Sequence, residues 1–231
     1  MRKNHKMKKY IILSEKKWHK ELCDHLNSFF KGNWVLINDK DNLNLENLSY
    51  IKPNKIFIPH WSYIISSEII EKYECIIFHM TDLPYGRGGS PMQNLILEGK
   101  NDTKITAIKA TSELDAGPIY LKKDFSLAGT AEEIFIRGTK IVKNMIIEII
   151  MNNIKPKPQK GKPTYFKRRK PEQSNIEELE EIEKIYDYIR MLDAEGYPKA
   201  FIETKYFKFE FSRANFKTDK TIIADVKISR K

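Results

Sequence analysis

The sequence predicts an α/β fold: a mainly parallel sheet with helices between its strands, followed by a small C-terminal appendage of one helix and antiparallel strands. Three observations carry this. Short apolar runs at Lys9–Ser14, Trp34–Asn38, Lys55–Pro59 and Cys75–His79 alternate with segments of helical apolar spacing, and strands that alternate with helices pair in parallel within one sheet. Three prolines between Lys155 and Pro163 interrupt any helix. Beyond them Phe207, Phe209 and Phe211 alternate with Lys208, Glu210 and Ser212, the period of a strand with one core face and one wet face.

Taken in order, Lys9–Ser14 is a short buried strand and Lys16–Phe30 a helix carrying Trp18, Leu22, Leu26 and Phe29 at helical spacing. An Asn/Asp/Leu-rich segment separates the strands at Trp34–Asn38 and Lys55–Pro59. Ser14-Glu15-Lys16-Lys17 follows the first strand where a dinucleotide-binding sheet carries Gly-x-Gly-x-x-Gly, so a Rossmann-type sheet serving another ligand is expected. Ser66–Tyr73 reads as a helix capped by Ser66 or Ser67 with Glu68 in its first turn, and Pro91 starts another. Lys104–Thr111 and Ile119–Phe125 bracket an Asp115-Ala116-Gly117-Pro118 turn. Thr130-Ala131-Glu132-Glu133 opens a helix in capping-box style that runs to about Met151. Domain one is expected over 1–153, a basic Pro/Lys linker over 154–171 and a small α+β subdomain over 172–231. The subdomain holds a helix at Glu177–Leu192 with Ile182, Ile185, Ile189 and Leu192 on one face, then strands at Ala200–Thr204, Tyr206–Arg213 and Thr221–Ile228.

The chemistry concentrates between Ile76 and Pro91, where an apolar strand ends on His79 and opens into a Gly/Pro-rich loop. Strand ends in open α/β sheets fix side chains that loops leave accessible. An imidazole exchanges protons near neutrality, and a carboxylate on its far nitrogen fixes the tautomer and stabilises the imidazolium. Asp115 is the natural partner, and the pair suits attack of an amine on a carbonyl carbon. The plainer alternative is a strand-capping histidine and a turn aspartate.

His79 followed by Leu83-Pro84, Arg87-Gly88 and Pro91, with Leu114-Asp115-Ala116-Gly117 downstream, resembles the folate-dependent formyltransferase family. Several separated elements in the right order are more specific than one short motif. The family includes methionyl-tRNA formyltransferase, glycinamide ribonucleotide formyltransferase and sugar N-formyltransferases. The resemblance implies that His79 and Asp115 are catalytic, that N10-formyltetrahydrofolate is the formyl donor and that no metal is needed. It also implies a pterin-holding loop at Trp61, Ser62, Tyr63, Ile64 and Ile65, of which Trp61 and Tyr63 read equally as core anchors, and a site arginine at Arg87 beside Gly88, where the glycine either lets the backbone approach the folate or simply allows a positive φ. Ile77 departs from the pattern, standing where the family carries an asparagine that donates to the formyl oxygen. Loss of such a donor costs about 3 kcal/mol of transition-state stabilisation. Substitutes are the imidazolium of His79, a backbone N–H between Thr81 and Arg87, or the amides of Gln93 and Asn94, which have an equal reading as ordinary helix-start amides. For the acceptor, Tyr165 or Phe166 would stack on a nucleotide base with Lys167 or Arg168 near a diphosphate.

The net charge of +10 raises a nucleic-acid reading. Its densest part, Lys155–Lys170, has eight basic residues and no acidic one, without an aromatic-interleaved motif. A solvated linker ranks first, a phosphate-bearing small substrate second and RNA third. Cys23 and Cys75 lack metal-ligand spacing and read as reduced thiols of a cytoplasmic protein. The basic start at Met1–Lys9 precedes an apolar run too short for a secretory signal, and nothing approaches a membrane span.

The expected function is therefore formyl transfer from N10-formyltetrahydrofolate to the amine of a nucleotide-linked amino sugar in surface-glycan biosynthesis, with a homodimer left open. The alternative is methionyl-tRNA formyltransferase, ranked lower because the residues after the linker are near the lower limit for an independent domain. A catalytically inert binding protein of the same fold, motivated by Ile77, is the third reading.

Overall fold

A computed structural model describes residues 8–231; the basic stretch at 1–7 lies outside the described residues. In chain order the elements are β1 (Lys9–Ser14), α1 (His19–Phe30), β2 (Asn33–Ile37), α2 (Leu45–Ile51), β3 (Lys55–His60), α3 (Ser67–Lys72), β4 (Cys75–His79), β5 (Arg87–Gly88), α4 (Pro91–Leu97), β6 (Asp102–Lys109), β7 (Ile119–Ser126), α5 (Ala131–Met151), β8 (Tyr165–Phe166), α6 (Ile182–Met191), β9 (Ala200–Glu203), β10 (Phe207–Phe216) and β11 (Ile222–Arg230). The fold is α/β with a mostly parallel six-stranded sheet in the order β2-β1-β3-β4-β6-β7 and a three-stranded antiparallel sheet β11-β10-β9.

Two compact units emerge. The first comprises residues up to Arg87, Lys104–Asp124 and Gly138–Thr164; the second comprises Gly88–Thr103, Phe125–Arg137 and Tyr165–Lys231. In the first, β1 pairs in parallel with β2 and β3, and β3 with β4. β4 then pairs antiparallel with β6, setting His79 opposite Thr106. Ile11, Ile12, Leu13, Ile56, Phe57 and Ile76 are fully buried, as central strands covered on both faces require. Each such aliphatic side chain contributes about 1.5–3 kcal/mol through burial.

Helix α1 buries His19, Leu22, Cys23 and Leu26 and ends on Lys31 in the left-handed conformation. Phe29, expected on its apolar stripe, is exposed. Helix α2 was not expected; Asn44 caps it by accepting from the N–H of Asn47, and Leu48 anchors it in the core.

In the second unit, Thr130 and Glu133 form the expected capping box: Glu133 Oε2 accepts from the Thr130 N–H at 2.8 Å and Thr130 Oγ1 from the Glu133 N–H at 3.3 Å. Helix α6 begins at Ile182 rather than Glu177. Glu177, Glu178, Glu180 and Glu181 would crowd like charges into one turn. The period-two pattern of β10 holds as a strand. Its apolar face is only partly covered, for Phe207 and the same-face residues Val226 and Ile228 of β11 remain exposed.

Candidate active site

Because β1, β3 and β4 run parallel, their carboxyl ends place Ser14, His60 and His79 along one edge of the sheet, where open α/β sheets take ligands. His79 closes β4 and is 7% exposed. Its Nε2 lies 2.8 Å from the Gly86 carbonyl oxygen. A carbonyl only accepts, so Nε2 carries a proton and Nδ1 holds the lone pair of the neutral ring. Nδ1 faces Asp115 Oδ2 at 3.6 Å, with Asp115 8% exposed. That spacing supports charge without making a hydrogen bond. The tautomer is thus set by a main-chain carbonyl, whereas the sequence pointed to the carboxylate.

The loop after β4 is tied on several sides. The Thr81 hydroxyl donates to the Gly86 carbonyl at 3.4 Å, and the Thr106 hydroxyl donates to the Thr81 carbonyl at 2.6 Å. Lys122 pairs with Asp82 and donates to the Leu83 carbonyl. The Gly86 N–H reaches Thr164 Oγ1 at 2.8 Å and the Arg87 N–H the Thr164 carbonyl at 2.9 Å. Arg87 is buried, with its guanidinium on Glu113 Oε1 and Gln159 Oε1, each at 2.9 Å. Gln159 in turn donates to the carbonyls of Asp115 at 2.8 Å and Gly117 at 2.9 Å. Thr164, Glu113 and Gln159 escaped the sequence reading. Gln159 stands in a run of lysines and prolines with no spacing that ties it to a site.

Ile77 lies between Ile58 of β3 and Ile108 of β6 and packs against the cluster of Ile11, Ile58, Ile69 and Cys75. It offers no donor. Trp61 and Ile65 pack against that same cluster. The Trp61 indole N–H is buried without a hydrogen-bond partner, while Tyr63 is 48% and Ile64 96% exposed. The Ser62 N–H is bound by Glu15 at 2.9 Å.

The remaining predicted residues gather in the second unit. Gln93 donates to the Met191 carbonyl at 3.4 Å. Asn94 Nδ2 contacts the carbonyls of Gly89, Ser90 and Lys167 at 3.0, 3.1 and 3.1 Å, so its two N–H groups are spent on main chain rather than held for an oxyanion. Gly88 has φ +106° and a Cβ there would strike the Phe166 carbonyl, so the close approach it permits is to β8. Tyr165 is exposed, Phe166 half-buried, and Arg168 packs against Gly89.

Other titratable groups of the first unit are structural. His19 is buried between Ser14 Oγ at 2.5 Å and Thr139 Oγ1 at 2.9 Å. Burial, then the charges of His60 and Lys16, push its pKa down to about 3. Burial and the adjacent Glu74 push the Cys75 thiol up to about 12, which leaves it unreactive. Glu74 is held below its ordinary value despite burial, because Lys55 and Tyr120 donate to it. Among the described residues no cluster of three or more His, Cys, Asp or Glu is arranged to hold a metal, and no helix is long and apolar enough to cross a membrane.

Comparison with known proteins corrects the acceptor. The family profile described as Formyl transferase matches residues 16–150, and that described as Methionyl-tRNA formyltransferase, C-terminal domain matches residues 171–229. A methionyl-tRNA formyltransferase from Bacillus velezensis is 32% identical over 158 residues, covering 64% of this chain and 50% of the relative. The chain spans about half the length of several of the curated relatives it matches. The solved structure of a methionyl-tRNA formyltransferase from Clostridium thermocellum superposes with a TM-score of 0.94 at 48% identity, covering 97% of this chain and 100% of that one. A sugar N-formyltransferase from Shewanella sp. shares the fold alone, at TM-score 0.65 and 15% identity over 94% of this chain and 96% of that one. These findings overturn the nucleotide-linked amino sugar as acceptor, the surface-glycan role and the low rank given to nucleic acid. The tail, whose size near the lower limit for an independent domain ranks that alternative lower, is the segment that matches the methionyl-tRNA formyltransferase C-terminal profile. The sequence profile over more than half its length and the shared α/β architecture make this chain a member of the formyl transferase family.

Proposed function

We propose that the chain is a cytoplasmic formyltransferase that moves the formyl group of N10-formyltetrahydrofolate to the amino group of methionine esterified to tRNA. The observation that carries this reading is the 48% identity, over nearly the whole chain, to a methionyl-tRNA formyltransferase. In it, residues 1–153 bear the chemistry, 154–171 form the connector and 172–231 serve the acceptor.

The folate supplies an electrophilic formyl carbon. The loop at Trp61–Ile65 fits such a group: the exposed Tyr63 and Ile64 offer apolar surface at the sheet edge, and the buried Trp61 N–H lacks an acceptor. His79 holds its Nε2 proton on Gly86 and takes the proton of the attacking amine at Nδ1; Asp115 stabilises the imidazolium, which then gives that proton to the departing N10 nitrogen as the bond from N10 to the formyl carbon breaks. The same imidazolium donates to the developing oxyanion. It takes the place of the missing asparagine; in support, Ile77 has no donor, Asn94 is spent on main chain, and the N–H groups of Tyr85, Gly86 and Arg87 are engaged with Asp82 and Thr164.

The test is incubation of the purified chain with N10-formyltetrahydrofolate and charged initiator tRNA. Release of tetrahydrofolate with formation of N-formylmethionyl-tRNA is expected. Formyl transfer confined to free amines or small nucleotide-bearing amines would overturn the reading.

A further inference from the structure

We infer that Gln159 is a positioning residue for Asp115, so that the basic Pro/Lys segment is a strap on the active site as well as a connector. The inference rests on the reading of Asp115 as the partner of His79. Lys157 exchanges both main-chain hydrogen bonds with Ile119, at 2.7 and 2.8 Å, which docks the segment beside the start of β7. Lys155, Lys157, Pro158 and Lys160 face solvent, whereas Gln159 turns inward and is half-buried.

Its amide is filled on every side. Oε1 accepts from Arg87, and the two N–H groups go to the carbonyls of Asp115 and Gly117. The orientation is forced, since a guanidinium only donates and a carbonyl only accepts. Both ends of that chain bear on one turn. Asp115 stands at φ 51°, in the left-handed region that L-residues other than Asn and Asp seldom enter. Glu113, two residues earlier, is ion-paired to Arg87. Gln159 therefore holds the main chain of the residue whose carboxylate lies 3.6 Å from His79 Nδ1. A shift of about 1 Å at such a group costs on the order of 10²-fold in rate.

Gln159→Ala removes the amide. Gln159→Glu keeps an acceptor for Arg87 but sets carboxylate oxygen against the two carbonyls. Both variants should lower kcat for formyl transfer by about 10- to 100-fold with KM for N10-formyltetrahydrofolate unchanged, and neither should lower turnover further in an Asp115→Ala background. Hydrogen exchange of the segment 109–119, in which the N–H groups of Lys109, Ala116 and Ile119 are bonded to the carbonyls of Pro118, Glu113 and Lys157, should quicken in both variants while β1, β3 and β4 keep their protection. Wild-type turnover in Gln159→Glu, or additive losses with Asp115→Ala, would overturn the inference. Exchange is read without activity, so it also decides the matter if the wild type formylates no tRNA: unchanged protection of 109–119 overturns the positioning role, and faster exchange sustains it.

Discussion

An imidazole whose Nε2 proton is committed to the Gly86 carbonyl exchanges protons only through Nδ1, and Asp115 Oδ2 is the charge that faces that nitrogen. In the proposed mechanism the two residues act as a unit. His79→Ala and Asp115→Ala should each lower turnover by about 10²- to 10⁴-fold, with folate binding retained, since the loop proposed to hold the pterin, Trp61–Ile65, is untouched. The double variant should be little worse than the worse single one. Single-turnover formyl transfer reads this, and near-normal turnover in His79→Ala would make the histidine structural. The closeness of His79 and Asp115 was legible in the sequence because a strand-ending histidine and a Leu-Asp-Ala-Gly turn are ordered motifs. Gln159 and Thr164 were not, since what makes them matter is a hydrogen bond to a distant main-chain atom, which leaves no local pattern.

Strands β1, β3 and β4 were readable as runs of buried aliphatics, and α5 from its capping box. Helix α2 was missed because its seven residues sit in a segment of turn-forming Asn and Asp; the Asn44 cap followed by Leu45, Leu48 and Ile51 was the available signal. The turn between β6 and β7 makes a prediction of its own. A Cβ at Gly117 would strike the Lys109 carbonyl, so Gly117→Ala must displace the turn that carries Asp115. It should lower the melting temperature and kcat together, and a variant with wild-type kcat would show that the turn is free to move. Helix α1 carries a pH dependence. His19 is neutral in the fold down to about pH 3, whereas in the unfolded chain it binds a proton below its ordinary value of 6.5. The unfolded state therefore binds more protons between those limits. The contribution is fully present above pH 6.5 and is lost as pH falls towards 3. Urea midpoints should drop over that window, and less steeply in His19→Gln; equal slopes would assign the acid sensitivity to other groups.

At the scale of the molecule, the α/β class and the formyltransferase family were legible in the order of strands and motifs, but the acceptor was not. Length misled: the C-terminal residues were weighed by how much core they could bury, and that quantity says nothing about what a surface binds. The charge pointed the other way. A net charge of +10, with an acid-free basic run at Lys155–Lys170, is a charge distribution that attracts a phosphate backbone. If charged tRNA is the acceptor, its affinity must reflect counterion release from the phosphates the chain neutralises. Contact with about four to five phosphates would give a log–log slope of about −3.6 to −4.5 and weaken binding by about 10²- to 10³-fold between 50 and 200 mM salt. KM for methionyl-tRNA should climb steeply over that range. KM for N10-formyltetrahydrofolate, a small ligand proposed to lie against the apolar surface of Tyr63 and Ile64, should change far less. Steady-state kinetics at fixed pH and varied potassium chloride separates the two, and a salt-independent KM for methionyl-tRNA would mean that the basic surface plays no part in holding the acceptor.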